Sequence, residues 1–354
     1  MNYKETLFFI GKCLTITHEK HNLEIISEKI INQLVDWNNV VKVSTEHYVF
    51  PALYCNLKRA NLLIYVPDEL VNYMKYISDL NRERNLQLIE QAKEINELLL
   101  ANHIVPVFLK GTSNLLVGLY EDIAERMVGD IDFIVSELEF HRTIKVISDF
   151  GYKKYVNTEF DFPSFNHHPR LIKQNNIAAI EIHKELIIEK YSKEFNYLVI
   201  EKNKKTMNSF SFISYSDQLC LSIIAYQIND NGHYFKTISL RNSYDVFLLS
   251  KKTSSLKAIE RFDQLFHPLN NYISLTNKVL GDVSSLKYKP TKYSNTAITS
   301  NHKLLESLKA RRRNQKKWTR YLFIKSRLEI LFKSLYKKEY RVWLFKRLLK
   351  GRQN

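Results

Sequence analysis

Cysteine is scarce in this chain of 354 residues, and its three cysteines stand far apart along the sequence. Cys13, Cys55 and Cys220 offer neither the pairs of a disulfide framework nor the close spacing of zinc ligands. The composition therefore predicts a reducing, cytoplasmic setting.

Long apolar runs are also absent. No window approaches the roughly 18 apolar residues of a membrane-spanning helix. The opening MNYKETLFFIGKCL has only a short apolar run and no small-residue cleavage site, so we expect no signal peptide.

Glycine is sparse too, and its distribution is uneven. Three of the eight glycines, Gly111, Gly118 and Gly129, fall in one stretch that reads FLKGTSNLLVGLYEDIAERMVGDIDFIV. Because glycine reaches backbone conformations that other residues avoid, we expect turns of special geometry here.

The end of this stretch, GDIDFIV, alternates acidic with apolar residues, which is the pattern of a half-buried strand. Asp130 and Asp132 therefore project from the same face, with their Cα atoms roughly 7 Å apart. Ile131, Phe133 and Val135 project from the other face into a core. Two adjacent carboxylates repel unless a cation lies between them, and a divalent metal is the usual solution. The pattern predicts a metal site.

The start of the stretch predicts a complementary phosphate site. A short apolar strand precedes Lys110, and Gly111, Thr112 and Ser113 then open a helical run. A strand, a glycine turn and a helix N-terminus present backbone N–H groups and a positive dipole end to an anion. Lys110 is also consistent with a solvent-exposed position, as strand-end lysines usually are.

These motifs resemble those of the nucleotidyltransferase superfamily of the DNA polymerase beta type. The quoted pattern is apolar-Lys-Gly-Thr, a spacer containing Arg126, then Gly-Asp-Ile-Asp-Phe-Ile-Val. More narrowly, the chain is similar, over about residues 37–250, to a mostly uncharacterised bacterial family of that superfamily. The resemblance implies an α+β fold, in which a polymerase beta-like core (a small mixed sheet with helices) is flanked by N- and C-terminal helical regions.

The resemblance also implies a third carboxylate on a strand beside the first. Ala178 to His183 alternates again, with Glu181 and His183 on one face. From the residues alone, Glu181 fits an exposed edge-strand acid equally well. The resemblance favours a three-acid cluster with this strand antiparallel to the first, and it implies that His183 orients Glu181 through a hydrogen bond.

A loop between these strands contains Asp161, His167, His168 and Arg170, and a short strand is expected before it, at 152–156. Adjacent histidines invite a metal interpretation. One such pair without spaced partners is weak, so a solvated loop or a substrate lip is the better prediction.

Further along, Arg241 and Asp245 are four residues apart on a predicted helix. This spacing is typical of a surface ion pair of small energetic value. The resemblance adds a second interpretation, in which the pair forms a wall of the substrate cleft.

We divide the chain into an N-terminal helical region (1–101), a nucleotidyltransferase core (102–213), a helical region that closes the cleft (214–280), a polar linker (281–300) and a basic amphipathic helical tail (301–354). The tail holds 18 of the 53 Lys and Arg residues but three of the 37 acidic residues. Such a segment suits an anionic membrane surface, an acidic partner, nucleic acid, or packing on its own domain. Its many bulky residues favour the membrane or packing over nucleic acid. We therefore expect a cytoplasmic protein, peripheral to the inner membrane surface if the tail binds lipid.

The implied activity is a Mg²⁺-dependent transfer of a nucleoside monophosphate from an NTP to an unidentified acceptor, a small molecule, a sugar or a protein hydroxyl. Asp130, Asp132 and Glu181 would be the catalytic and metal-binding residues, holding up to two Mg²⁺ ions. The turn at Gly111–Thr112–Ser113 would hold phosphates, with Lys110 and Arg126 adding positive charge.

Two other hypotheses remain open on sequence alone. The chain could be a binding or accessory protein that kept the fold and lost the reaction, which predicts nucleotide binding without pyrophosphate release, or no nucleotide binding at all. Alternatively, RNA could be the acceptor, which predicts affinity that falls steeply with salt and depends on residues 301–354.

Overall fold

The computed structural model describes residues 1–155, 162–163 and 166–350. Val156, the last residue of one expected strand, and Asp161 in the following loop lie outside this range. The described α-helices are α1 (Tyr3–Cys13), α2 (Lys20–Ile31), α3 (Trp37–Glu46), α4 (Phe50–Arg59), α5 (Asp68–Ala101), α6 (Lys110–Leu116), α7 (Phe140–Asp149), α8 (Tyr197–Glu201), α9 (Tyr215–Ile224), α10 (Gly232–Phe235), α11 (Leu240–Ser250), α12 (Ser255–Glu260), α13 (Phe266–Val279), α14 (Lys292–Glu306), α15 (Leu308–Tyr336) and α16 (Lys338–Lys350). The described strands are β1 (Val107–Phe108), β2 (Asp130–Ile134), β3 (Lys153–Lys154), β4 (Leu171–Ile172), β5 (Ala179–His183), β6 (Lys205–Met207) and β7 (Phe210–Phe212).

The strands form one mixed sheet with the order β3-β4-β5-β2-β1-β7-β6. β2 is central, antiparallel to β1 on one side and parallel to β5 on the other. Helices precede the sheet in the sequence and follow it. The prediction of a small mixed sheet flanked by helical regions is confirmed.

The alternation of β2 and β5 gives the sheet one apolar and one polar face. Ile131, Phe133, Ile180 and Ile182 are fully buried in the core. Burial of these side chains fixes which face of each strand turns inward, because a shift by one residue would exchange the faces. The acidic residues therefore emerge on the opposite face.

The longest helix, α5, has 34 residues and contains the helix predicted between Asn81 and Leu100. It begins directly after Pro67, and Asp68 and Glu69 in its first turn complement the positive end of the helix dipole. Its polar side chains reach the segments that lead into β2 and β5. α5 thus connects the N-terminal helices to the sheet.

The linker expected at 281–300 is wrong for its second half, which belongs to α14. Thr291 caps this helix by accepting a hydrogen bond from the Ser294 N–H. Ser294 and Asn301 are buried, and Asn301 Nδ2 donates to Lys236 O over 2.8 Å. Thr291 and Ser294, two of the polar residues that resembled a linker, therefore cap the helix, and Asn301, just beyond that range, bonds it to the body of the protein.

Two helices follow in the basic tail. Every residue of α15 is at least partly exposed, whereas Tyr340 and Trp343 of α16 are buried. None of the helices in the described part of the chain combines the length and the hydrophobicity of a transmembrane segment.

Candidate active site

The acid-bearing strands lie side by side in register. Asp132 is directly opposite Glu181, and Asp130 is opposite Ala179. The two strands are parallel, so the expected antiparallel arrangement is wrong. Side chains opposite each other in a parallel pair still project from the same face, and the three acids therefore share it. Asp132 and Glu181 are almost buried, at 8% and 7% exposure.

Side chains of α5 form hydrogen bonds to the backbone just before both strands. Arg84 donates to the carbonyls of Val128, Gly129 and Ile177 over 3.2 to 3.3 Å. Gln91 donates to Ala178 O over 2.8 Å and accepts from the Ala178 N–H over 3.1 Å. These bonds fix the backbone immediately before β2 and β5, and thereby support the register that brings the carboxylates together.

His183 joins the carboxylates at the base of the cluster. Its Nε2 lies 2.8 Å from Asp132 Oδ1 and 3.6 Å from Glu181 Oε2. The closer contact of His183 is with Asp132, and Glu181, the partner expected from the sequence, is the more distant of the two carboxylates. Ligand atoms of Asp132, Glu181 and His183 all lie within 4.8 Å of one another. This is the one group of this kind within the described residues.

The donor set suits a divalent cation. Two buried carboxylates supply the hard oxygen ligands that Mg²⁺ and Mn²⁺ prefer, and an imidazole nitrogen is accepted by Mn²⁺ and other transition metals. Nδ1 of His183 is buried without a hydrogen-bond partner within the described part of the chain. The residues present therefore fit a metal ion, although the compact group contains His183 where the sequence predicted Asp130.

Two cations neutralise the acid cluster. Lys110 Nζ lies 2.6 Å from Asp132 Oδ1 and 3.7 Å from Glu181 Oε2. Arg170 bonds Asp130 through Nη2 over 2.9 Å and Glu181 through Nε over 2.6 Å. Lys110 thus points into the cluster and not to solvent. Arg170, which the sequence indicated only as part of a loop or lip, is the principal site residue that sequence reasoning missed.

The ionisable groups of the cluster have pKa values that are shifted in different directions. Burial alone would raise the pKa of Glu181, but His183, Lys110 and Arg170 outweigh it and hold that pKa well below its usual range. Burial raises the pKa of Asp130, with Arg170 opposing it in part. Burial would lower the pKa of Lys110, but the nearby carboxylates outweigh it and raise that pKa.

The glycine turn is only partly exposed to the cleft. Lys110 and Gly111 line the cleft, while Thr112 and Ser113 are buried. The Thr112 hydroxyl donates to Asp130 O over 3.0 Å, which ties α6 to the acid-bearing strand. A Cβ at Gly111 would approach Val128 Cγ2 to 3.0 Å, so glycine permits this close packing. The two hydroxyls predicted to contact phosphate are turned inward, because α6 packs against β2.

Arg126 is held in a buried ion pair. Its Nε and Nη2 each lie 3.0 Å from carboxylate oxygens of Asp245, and Tyr120 donates to the same carboxylate over 2.7 Å. The expected surface pair between Arg241 and Asp245 is therefore replaced by a buried pair between residues far apart in sequence. Asp245 neutralises Arg126, which leaves little free charge for phosphate.

Arg241 is instead free to meet a ligand. Among the described residues no acid lies within ion-pairing distance of its guanidinium, and its Nε is buried without a hydrogen-bond partner. The guanidinium carbon lies 5.1 Å from the centre of the Tyr48 ring. Burial lowers the pKa of Arg241, with Arg126 adding to the effect. An unpaired, partly buried cation is a strong candidate for binding an anion.

The acid cluster with its two cations, the pair of Arg126 and Asp245, and Arg241 line one cleft of about 860 Å³. Its near wall is the polar face of β2 and β5. The opposite wall contains Arg241 of α11 and a π-helical turn, Ala225–Asn229, that contributes Tyr226 and Asn229. π-helical turns recur at functional sites, and this volume is within the usual range for small-ligand sites. The positions of Arg241, Tyr226 and Asn229 depend on how residues 214–280 fold against the sheet, and no local sequence pattern reveals this.

Comparison with known proteins identifies one family. A family model described as an uncharacterised nucleotidyltransferase matches residues 33–277. Neither the curated proteins nor the solved structures contain a match. The matched range includes both acid-bearing strands, Arg170 and Arg241.

Proposed function

Because the chain belongs to this uncharacterised nucleotidyltransferase family, we propose that it transfers a nucleoside monophosphate from an NTP to an acceptor hydroxyl. The observation that carries the proposal is the in-register pair of Asp132 and Glu181, which meets His183 on the floor of an open cleft. Family membership supports a transferase, and the cluster supports metal binding.

The reaction needs charge neutralisation and alignment more than covalent chemistry from the protein. The acceptor oxygen forms a bond to the α-phosphorus while the bond from that phosphorus to the bridging oxygen breaks, and pyrophosphate leaves. The hydroxyl proton passes to a carboxylate oxygen of the cluster. Asp132, Glu181 and His183, with Asp130 beside them, would hold the metal. When bound, Mg²⁺ would supply Lewis-acid polarisation of the phosphate and a lower pKa for the acceptor hydroxyl.

Residues of the chain then divide into two roles around the substrate. Arg241, on the far wall, binds phosphate oxygens of the NTP, because it is the cleft cation without an acidic partner in the described structure. Lys110 and Arg170, on the near wall beside the carboxylates, would stabilise the negative charge that develops on the leaving pyrophosphate. Gly111 keeps the turn packed closely against Val128 at the edge of the cleft.

The test uses the double variant Asp130→Asn and Asp132→Asn. Purified protein is incubated with Mg²⁺, each of the four NTPs labelled at the α-phosphate, and a cell extract as the source of acceptor. We expect label transfer and pyrophosphate release from the wild type and neither from the double variant. Asp149→Asn with Asp263→Asn, which changes two exposed acids away from the cleft, is the matched control and retains activity.

Calorimetry with ATP and Mg²⁺ distinguishes the alternatives. Nucleotide binding without label transfer for any NTP would indicate a binding protein that has lost the reaction. Turnover that persists unchanged in the double variant contradicts the proposal outright. Circular dichroism confirms that each variant remains folded.

A further inference from the structure

The C-terminal helical hairpin, α15 with α16, carries an apolar surface that no other described part of the chain covers. Five side chains of α15 that we call the apolar stripe are each at least 50% exposed: Ile324, Leu328, Leu331, Phe332 and Leu335. Their spacings of three and four residues place them on one side of the helix. Several large apolar side chains exposed side by side on a folded protein indicate an interaction site.

The hairpin is attached to the protein by other residues, so the stripe is not its packing side. Asn314 Nδ2 donates to Phe235 O over 2.8 Å, and the Trp318 ring lies 5.0 Å from that of Tyr234. Lys333 and Lys337 each lie 2.7 Å from carboxylate oxygens of Glu189. In addition, Trp343 of α16 is buried and packs edge-on to the ring of Phe162, 5.0 Å away.

Strong positive charge surrounds the stripe. The region 301–354 accounts for nearly all of the formal net charge of +16. On α15 itself the one acid is Glu329, and α16 has only Glu339. α16 adds the exposed apolar side chains Val342, Phe345 and Leu348, and Leu348 lines one groove with Leu331 of the stripe. The surface therefore fits a partner that is both anionic and able to receive bulky apolar side chains.

A second copy of the chain does not meet this description. The spacing of the stripe would suit a two-helix coiled coil, but the positions that flank it are Arg320, Lys325 and Arg327. In a self-association these cations would face each other, and like charges at such positions are unfavourable. Nucleic acid satisfies the cations but offers the aliphatic side chains nothing to bury against, because its backbone contacts are electrostatic.

We propose that the C-terminal helical hairpin binds the surface of an anionic phospholipid bilayer. Lysine and arginine side chains contact the lipid headgroups, and the apolar stripe inserts at the boundary with the acyl chains. The helices lie along the surface and do not cross the bilayer. This inference goes beyond nucleotidyl transfer and does not depend on it.

The test is sedimentation of the full chain with lipid vesicles. Vesicles of phosphatidylcholine alone are compared with vesicles containing roughly a third phosphatidylglycerol. The variant Leu328→Ser with Leu335→Ser removes two exposed side chains of the stripe and leaves the charge unchanged. Leu80→Ser with Leu86→Ser on α5 is the matched control, because those two leucines are similarly exposed.

We expect the wild type and the control to sediment with the anionic vesicles and not with the neutral ones. The stripe variant should bind at least about tenfold more weakly. Equal binding by the stripe variant and the wild type would overturn the proposal, as would failure of the wild type to bind anionic vesicles.

Two further outcomes also contradict it. One is that light scattering shows a dimer for the wild type and a monomer for the stripe variant, because this would assign the stripe to contact with a second copy of the chain. The other is that the wild type binds an RNA oligonucleotide but not the vesicles, and that the stripe variant binds the RNA with the same affinity. Neither measurement involves nucleotide turnover, so failure here leaves the assignment of the active site untouched.

Discussion

The Nζ of Lys110 lies 2.6 Å from Oδ1 of Asp132, between the carboxylates that would hold a metal. Lys110 reaches this position from a left-handed backbone conformation, φ 53°, which is unfavourable for a residue other than glycine. Such strain persists where the surrounding structure enforces it, commonly at functional sites. A divalent cation and this ammonium group must compete for the same oxygens.

Lys110→Met should therefore strengthen metal binding while it weakens turnover. A charge-assisted hydrogen bond contributes about 1.5–3 kcal/mol, so removal of the ammonium should raise affinity for Mn²⁺ by about tenfold or more in the absence of nucleotide. Isothermal titration with Mn²⁺ measures this. Lys145→Met, at an exposed position on α7, is the control and should leave affinity unchanged. Weaker metal binding in the Lys110 variant would show that the lysine supports the site and does not compete for it.

Arg241→Ala should weaken nucleotide binding and spare stability. Loss of a charged contact to phosphate should lower ATP affinity by about ten- to a hundredfold, measured by calorimetry. The unfolding temperature should hardly change, because Arg241 has no ion-pair partner within the described structure. Arg142→Ala, half exposed on α7, is the control. Unaltered ATP affinity in the Arg241 variant contradicts its role in phosphate binding.

Arg126→Ala, in contrast to Arg241→Ala, should lower the stability of the protein. It leaves Asp245 buried beside Tyr120 with an uncompensated charge, which should lower the free energy of unfolding by about 3–5 kcal/mol. Chemical denaturation measures the change. Lys278→Ala removes an exposed pair with Asp282 and should cost less than about 1 kcal/mol. A loss as small for Arg126 as for Lys278 would mean that the buried pair contributes little.

His47 should make stability depend on pH below neutrality. Its Nδ1 accepts from the Leu240 N–H and its Nε2 bonds the Tyr3 hydroxyl, so the neutral ring is preferred. Burial lowers its pKa from 6.5 to about 4. The unfolded chain therefore takes up a proton first as the pH falls. Stability is retained above pH 6.5 and declines between pH 6.5 and about 4, by about 1.4 kcal/mol per unit of pKa shift at most.

The measurement is the unfolding free energy of His47→Gln and wild type across this range. The variant should show a shallower decline, since the titrating group is gone. His141→Gln, at an exposed position, should keep the wild-type slope. Parallel curves for wild type and the His47 variant would assign the pH dependence to other groups.

Local sequence patterns predicted much of the fold and part of the candidate active site. Alternation alone indicated that Asp130 and Asp132 share a face and that Ile131 and Phe133 are buried, because the period of a strand is independent of its neighbours. The same argument placed Glu181 and His183 on one face of β5. These residues do meet, although through parallel and not antiparallel pairing.

Other features depend on contacts that the sequence does not encode locally. Arg126 and Asp245 are 119 residues apart, and the nearby Arg241 offered a simpler partner at helical spacing. The inward orientation of Thr112 and Ser113 follows from packing of α6 against β2, which a glycine turn alone does not predict. Arg170 meets Glu181 because β4 folds back antiparallel to β5.

The long helix α5 positions both acid-bearing strands. Through Arg84 and Gln91 it grips the chain just upstream of each acid-bearing strand, and neither side chain lines the cleft. The alignment of the carboxylates is thus maintained by residues outside the cleft. Damage to this scaffold would present as an enzyme that folds and binds nucleotide yet reacts slowly, a defect that inspection of the cleft alone would not explain.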